Sequence, residues 1–390
     1  MRISERLERI KPSATLAVNA KALELRAQGR EIISLAVGQP DFGTPKHVVD
    51  AAKSALDEGF TRYTPVPGIP ELREAVAGYY SRFYGAKATA DNAIISNGGK
   101  QVLYNLLMAL VNPGDEVLIP SPYWVSYPAM VQLAEGRSVI VPTTPENSFL
   151  VSVEDLEKHR TSRTRVLILN SPSNPTGCCY SQAQLDEIAE WGLKNGVFII
   201  SDEVYDRLVY APAEPSTLSN FFEAHPENCA IVGALSKSFC MTGWRMGWAL
   251  GHESLVKAMV KIQGQSTSNV SSFSQKAAVT ALEGNWDIVD EMKQSFVRRR
   301  DMAYEIITGW GAICPKPGGA FYLFPVLDKF FTDDAPDSAA MCTKILEEAG
   351  VALVPGSAFG DDRCIRFSYA VDDEVLKDAL TKVGKVLTAK

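Results

Sequence analysis

The sequence predicts an α/β fold: a large domain on a mostly parallel sheet flanked by helices, plus a smaller α+β domain. Three observations point there. From about residue 48 to 250, short apolar runs alternate with stretches of helical periodicity. The runs are continuous and rich in β-branched residues, which marks strands covered on both faces. After about residue 285 a long helical stretch leads into a looser mixture of strands and helices.

Residues 16–28 place Leu16, Ala20, Leu23 and Ala27 at helical spacing, with Ser13 as the cap and Gly29 as the stop. Residues 32–37 read as a strand, closed by the turn Gly38-Gln39-Pro40-Asp41. Helical stretches follow at 48–58, 70–84, 98–111, 123–134, 153–159 and 182–195. The apolar runs are 93–95, 117–119, 138–141, 166–169, 197–200, 230–232 and 247–250. Beyond them come a helix at 286–309, a turn at 315–319 and a strand at 320–324. A helix at 338–349, a strand pair (351–354 with 364–369) and a helix at 372–387 complete the reading. The expected division is 45–285 for the large domain and 1–44 with 286–390 for the small one.

Composition excludes several classes. The chain has 390 residues, 46% hydrophobic and 22% charged, enough to bury a large core. This rules out disorder, collagen and coiled coil as the main state. Its 39 basic and 46 acidic residues give a net charge of −7, which argues against nucleic acid as a partner. The densest basic run, Arg298-Arg299-Arg300, reads as a solvated helix face. No apolar stretch approaches the roughly 18 residues of a membrane span. The first residues carry Arg2, Glu5, Arg6, Glu8 and Arg9 without the apolar segment of a secretory signal. The seven cysteines form no CxxC pair and are odd in number, so neither a metal site nor a disulfide framework is expected. They read as reduced thiols of a cytoplasmic protein.

Four features fall at the carboxyl ends of predicted strands, where open α/β sheets bind ligands. Ser96-Asn97-Gly98-Gly99-Lys100 opens a helix, whose free N–H groups suit an anion; the same residues also suit an ordinary tight turn. Asp202 ends an apolar strand, where a carboxylate needs a partner. It is either a helix cap or a fixed negative charge facing a cationic ring nitrogen. Lys237, just past another strand, can lose its proton to desolvation and form a Schiff base with an aldehyde. Arg245, eight residues on, can return to the same cavity as a planar phosphate clamp. Asn174 lies in the rigid turn Asn170-Ser171-Pro172-Ser173-Asn174-Pro175-Thr176-Gly177 and presents an amide to a phenolate-like oxygen, or is only an Asn-Pro turn. Together the four match pyridoxal 5′-phosphate, whose aldehyde, ring nitrogen, 3′ oxygen and phosphate meet Lys237, Asp202, Asn174, and Gly98, Gly99 with Arg245.

On these residues the chain resembles the class I (fold-type I) pyridoxal-phosphate aminotransferases, in the bacterial aspartate aminotransferase branch. The resemblance runs nearly the whole length. It is carried by KPSAT (11–15), GQPDF (38–42), Tyr63 with GIPELREA (68–75), NGGK (97–100) and SPYWVSYP (121–128). NSPSNPTG (170–177), SDEVY (201–205), SKSFCMTGWRMGW (236–248), GGAFY (318–322) and RFSYA (366–370) continue it.

The resemblance implies the following roles. Lys237 bonds the coenzyme and shuttles the proton between Cα and C4′. Asp202 keeps the ring nitrogen protonated, and Tyr205 and Asn174 hydrogen-bond the 3′ oxygen. Trp124 stacks on the ring, with Tyr123 as the rival. Gly98, Gly99 and Arg245 hold the phosphate, and Tyr63 reaches it across the interface of a homodimer with shared sites. Some relatives have a phosphate-binding serine three residues before the lysine; Ala234 stands there, leaving Ser236 to supply the contact. Arg366 pairs with the substrate α-carboxylate, assisted by the Gly38 N–H and Asn174. Other branches bind the distal carboxylate with a partner-subunit arginine, but Gln265-Ser266-Thr267-Ser268-Asn269 contains none. Lys100 is then the expected partner, and Lys11 a second basic group. The implied reaction is ping-pong transfer between L-aspartate and 2-oxoglutarate. The implied partners are small amino acids and 2-oxo acids. The alternatives are a prephenate or broader aromatic aminotransferase and, on the same scaffold, a C–S lyase.

Overall fold

The computed structural model describes residues 3–4, 7–8, 10 and 14–388. Lys11 and the Ser13 cap lie outside the described residues. Helix α1 (Ala14–Ala27) leads to β1 (Ile33–Ser34), α2 (Lys46–Asp57) and α3 (Pro70–Tyr84). The alternating stretch begins with β2 (Ala93–Asn97), α4 (Gly99–Leu110), β3 (Glu116–Ser121), α5 (Tyr127–Leu133), β4 (Arg137–Pro142) and α6 (Val153–His159). It continues through β5 (Thr164–Asn170), α7 (Gln182–Asn195), β6 (Phe198–Asp202), α8 (Ser219–Ala224), β7 (Cys229–Ala234) and α9 (Leu235–Ser238). Then come β8 (Met246–Leu250), α10 (Glu253–Gly264), α11 (Ser272–Glu283) and α12 (Asp287–Gly309). Last are β9 (Tyr322–Leu323), α13 (Ser338–Ala349), β10 (Val351–Ala352), β11 (Val354–Pro355), β12 (Ile365–Ser368) and α14 (Asp373–Thr388).

The main sheet has the order β2-β8-β7-β6-β5-β3-β4. Its pairs are parallel from β7 to β4, whereas β8 runs antiparallel to both β2 and β7. Successive strand residues feed opposite faces. Leu167, Leu169, Ile199 and Ile231 pack on one side, while Val166, Ile168, Ile200 and Val232 pack on the other with α4, α5 and α10. Burial on both faces explains the uninterrupted apolar runs. Two smaller sheets use the remaining strands: β1 with β10 in parallel, and β11-β12-β9 antiparallel.

Several expectations are corrected. The strand expected at 32–37 is only β1, because Ala36 gives its carbonyl to the Arg366 guanidinium (2.7 Å). The strand at 320–324 shrinks to β9; Ala320 has φ +55° and its carbonyl accepts the Tyr210 hydroxyl. The 351–354 run does not pair as a unit with 364–369. It splits at Leu353, so that β10 joins β1 and β11 joins β12. The helix expected from 123 starts at Tyr127, because the Tyr123 N–H bonds the Phe359 carbonyl (3.0 Å). Helices α8 to α11 were not anticipated; the buried face of α11 is built from Ser274, Ala277, Ala278 and Ala281, which give little apolar periodicity. Arg298-Arg299-Arg300 is not a solvated face: Arg299 and Arg300 are 6% and 4% exposed. Arg299 pairs with Asp41 and Asp373, and Arg300 with Asp301 and the Pro317 carbonyl.

A Cβ on Gly247 of β8 would sit 2.6 Å from the Gly99 nitrogen and 2.7 Å from the Gly98 carbonyl carbon, backbone that cannot step aside. Gly247→Ala is expected to destabilise the protein by about 1–3 kcal/mol. Gly243→Ala, with nothing within 4 Å of the new methyl, is expected to leave stability within about 0.5 kcal/mol. Thermal unfolding of the two variants beside the parent checks this.

Candidate active site

Parallel strands β5, β6 and β7 end at Asn170, Asp202 and Ala234, and all three line one cavity of about 360 Å³. Antiparallel β8 starts at this same end, so Arg245 just before it also reaches the cavity. Gly38 joins from the loop after β1, and Tyr322 and Arg366 from β9 and β12. Of the described residues given a site role from the sequence, Gly98, Tyr63 and the rival Tyr123 do not line it.

Lys237 sits in the one-turn helix α9 and donates from Nζ to the Gly38 carbonyl. Burial, then the positive charges of Arg366 and Arg245, pull its amine down to about 8, with Asp202 opposing them. At that value roughly a tenth of the amine is an unprotonated nucleophile at pH 7, far more than for an ordinary lysine. Asp202 is buried and pairs with no basic residue among those described. It accepts a hydrogen bond from the Tyr127 hydroxyl (2.6 Å) and a longer one from the Val204 N–H (3.3 Å). Burial lifts its carboxyl to about 6 despite these donors.

The α4 N-terminus has the chemistry of an anion cradle. Gly98 has φ +81°, and the first helical amides lack intrahelical acceptors. Arg245 crosses this turn, donating from Nη1 to the Thr242 carbonyl (2.8 Å) and from Nη2 to the Asn97 carbonyl (3.1 Å). A Cβ at Gly98 would lie 2.5 Å from Arg245 Nη2, so glycine is needed both for its φ and for the guanidinium. Ser236 and Ala234 both line this cavity, and only Ser236 brings a hydroxyl.

Arg366 is buried and makes no ion pair among the described residues. Nη1 donates to Asn174 Oδ1 (2.9 Å) and Nη2 to the Ala36 carbonyl, while Nε is buried without a partner. Burial lowers its pKa. A buried guanidinium with an idle N–H and no acid beside it among the described residues is suited to receive a carboxylate. Asn174 spends its oxygen on Arg366, which leaves Nδ2 as its donor to the cavity. The Tyr205 and Tyr322 hydroxyls are hydrogen-bonded (2.8 Å). Tyr127 and Tyr322 were missed as site residues, although SPYWVSYP and GGAFY contain them.

Lys100 reaches the cavity with its Nζ 5.0 Å from the centre of the Trp124 ring. Desolvation, with Arg245 nearby, lowers its pKa. Of the two rivals, Trp124 faces the cavity, edge-on to Tyr127 at 5.4 Å, whereas Tyr123 packs at Gly360. Four cations (Lys100, Lys237, Arg245 and Arg366) thus line the cavity against the single carboxylate Asp202, an arrangement that concentrates anions. Tyr63 is 93% exposed and away from the cavity. Its segment is nonetheless held: Gln275 bonds Thr64 (2.9 Å) and the Ile69 N–H (2.8 Å), and Gln263 bonds the Val66 carbonyl (2.9 Å).

Known proteins resemble this chain over its whole length. The family described as aminotransferase class I and II matches residues 30–383. An aspartate aminotransferase of Streptomyces avermitilis is 41% identical, covering 99% of this chain and 97% of its own. An aspartate/prephenate aminotransferase of Cereibacter sphaeroides is 44% identical, covering 98% of this chain and 97% of its own. The solved structure of Thermus thermophilus aspartate aminotransferase with maleate superposes with a TM-score of 0.94 at 42% identity, covering 99% of this chain and 100% of that one.

The raised carboxyl of Asp202 makes a pH prediction. Its folded-state value, about 6, exceeds the ordinary 3.8, so the proton favours the folded state. That stabilisation is full below about pH 4 and is lost as the pH rises through 6, about 3 kcal/mol in all. Asp202→Asn cannot lose it. With no small molecule bound, the stability of the parent relative to Asp202→Asn is expected to fall between pH 4 and 7, as read by denaturant unfolding across that range.

Proposed function

The chain belongs to the class I and II aminotransferases, and from that membership we propose an aspartate aminotransferase that moves the amino group between L-aspartate and 2-oxoglutarate in a ping-pong cycle with pyridoxal 5′-phosphate. One observation carries the substrate choice. Two cations without carboxylate partners among the described residues, Arg366 and Lys100, line one cavity with Lys237. They offer one cation for each carboxylate of a dicarboxylic amino acid.

The residues fit the coenzyme. The Gly98-Gly99 turn, Ser236 and Arg245 suit a phosphate, and Asp202 suits a cationic ring nitrogen. Tyr205 and the free amide of Asn174 suit the 3′ oxygen, and Trp124 a ring face. When bound, pyridoxal phosphate supplies a carbonyl carbon for the amine and a cationic ring that accepts the electron pair left at Cα. Asp202 holds the proton on the ring nitrogen, and the cation beside it offsets the cost of burying the carboxylate. Arg366 grips the α-carboxylate through its fork, with the Gly38 N–H, and so points the Cα–H bond at the amine. Lys237 takes the Cα proton and delivers it to C4′, then reverses the path for 2-oxoglutarate. Lys100, with Lys11, takes the distal carboxylate.

Tyr63, exposed on a braced segment, supports a homodimer in which each copy lends its hydroxyl to the other's phosphate. The seven cysteines are free thiols, which supports a cytoplasmic setting; among the described residues no helix is long and apolar enough to cross a membrane. The apolar wall of Val37, Leu103, Trp124 and Val125 favours prephenate as a second substrate, its ring on that wall and its two carboxylates on the two cations.

Lys237→Ala is expected to lower turnover about 10⁴-fold. It should also abolish the coenzyme–protein bond that borohydride reduction and mass spectrometry are expected to detect in the parent. Lys100→Ala is expected to lower kcat/KM for L-aspartate about 10- to 100-fold relative to L-alanine. A Lys100→Ala enzyme that keeps its dicarboxylate preference would falsify the pocket assignment.

A further inference from the structure

The proposed chemistry leaves Arg299 without a task, yet its surroundings are specific. Its buried guanidinium is shared between two carboxylates. Nη1 donates to Asp41 Oδ1 at 2.8 Å and Nε to Asp373 Oδ1 at 2.6 Å. Asp373 opens α14, and Asp41 lies in the loop that carries Gly38. Phe42, next to Asp41, has its ring centre 5.6 Å from the guanidinium carbon and stands edge-on to Phe296 of α12 at 5.9 Å.

The segment 33–44 is stitched on two sides. On one, β1 pairs with β10, the Leu35 carbonyl accepts from the Ser368 N–H (2.9 Å), and the Ala36 carbonyl accepts from Arg366 (2.7 Å). On the other, the Gly38 carbonyl accepts from Lys237, and Gln39 accepts from the Thr242 hydroxyl (3.3 Å). Thr44 donates to the Cys240 carbonyl (2.9 Å) and accepts from the Trp244 indole (3.0 Å). This one segment therefore joins the strand that carries Arg366 to the stretch that carries Lys237. Asp41 is its only charged residue, and Arg299 engages it. A planar fork can serve two carboxylates at once, which a lysine ammonium does poorly.

We propose that Arg299 is a positioning residue. Through Asp41 it fixes the 33–44 segment, and so sets the spacing between the guanidinium that takes the α-carboxylate and the amine that handles the Cα proton. The inference rests on the carboxylate role given to Arg366 above.

The test uses the full chain loaded with pyridoxal phosphate. Asp41→Asn and Arg299→Gln are each expected to raise KM for both L-aspartate and 2-oxoglutarate about tenfold, with kcat within about threefold of the parent. The dissociation constant of maleate, a dicarboxylate that cannot react, should rise by the same factor in calorimetry. Arg299→Lys should fall between parent and Arg299→Gln, and Arg299→Gln/Asp41→Asn should be no worse than either single change. Should Arg299→Gln not fold, Asp41→Asn decides alone, because Asp41 is partly exposed and the change is isosteric. Parental KM and maleate binding in Asp41→Asn overturn the proposal, as does a loss of kcat at unchanged KM. Arg366→Lys separates the layers. If it raises both KM values while Asp41→Asn does not, the carboxylate role stands and this inference falls. If it leaves KM unchanged, both fall together.

Discussion

Lys237 and Asp202 meet where neighbouring strands β7 and β6 lose their cover of water. Each is pushed toward its neutral form by that loss, the amine down to about 8 and the carboxyl up to about 6. Both shifts have burial as their first cause, so they belong to the sheet rather than to any one neighbour. A strand buried on both faces has to end somewhere, and a charged group placed at that end is desolvated by the same packing that forms the core. The rest of the cavity follows from this. Three further cations gather around one carboxylate, and none of the three finds an acid among the described residues. The protein holds these charges ready for an anion instead of spending them on its own stability.

Glycines make that gathering fit. Gly98 leaves room for the Arg245 guanidinium, Gly247 leaves room for the Gly98-Gly99 backbone, and Gly38 leaves room for the Tyr322 hydroxyl at 2.8 Å from where a Cβ would stand. Each removes a methyl so that a polar group or a backbone amide can come within reach of the cavity. Arg366 shows the same economy of polar atoms: its amide neighbour Asn174 is oriented by the guanidinium and keeps its own donor free.

Elements were legible where local signals marked both ends. Helix α3 opens on Pro70 and closes at Gly85 in the left-handed region, and α7 is framed by the Ser181 cap and Gly196. The strand runs were legible because the sheet is covered on both faces. What failed depended on distant partners. Arg299 looks like surface until Asp41 and Asp373, 258 and 74 residues away, are brought to it. The run at 351–354 carries no mark of the break at Leu353, because the two sheets it serves are chosen by β1 and β12. Helix α11 buries serines and alanines, which sequence periodicity hardly registers. At the site, a strand end followed by a reactive residue type was readable at Lys237 and Asp202. Tyr127 was not, since its hydroxyl acts through Asp202 from 75 positions away.

The reversed direction of β8 has a consequence for how the molecule opens. The chain leaves β7 at Ala234 and enters β8 at Met246, and the two strands are bonded to each other inside the sheet, where β2 covers the other side of β8. The residues between them, with Lys237 near one end and Arg245 at the other, form a short closed loop pinned at both ends by the ladder. Closing such a loop costs little entropy, and releasing it requires parting two interior strands. Both β7 and β8 are paired on each side within the sheet, so the reactive amine hangs from a segment whose two ends are anchored by strand pairing.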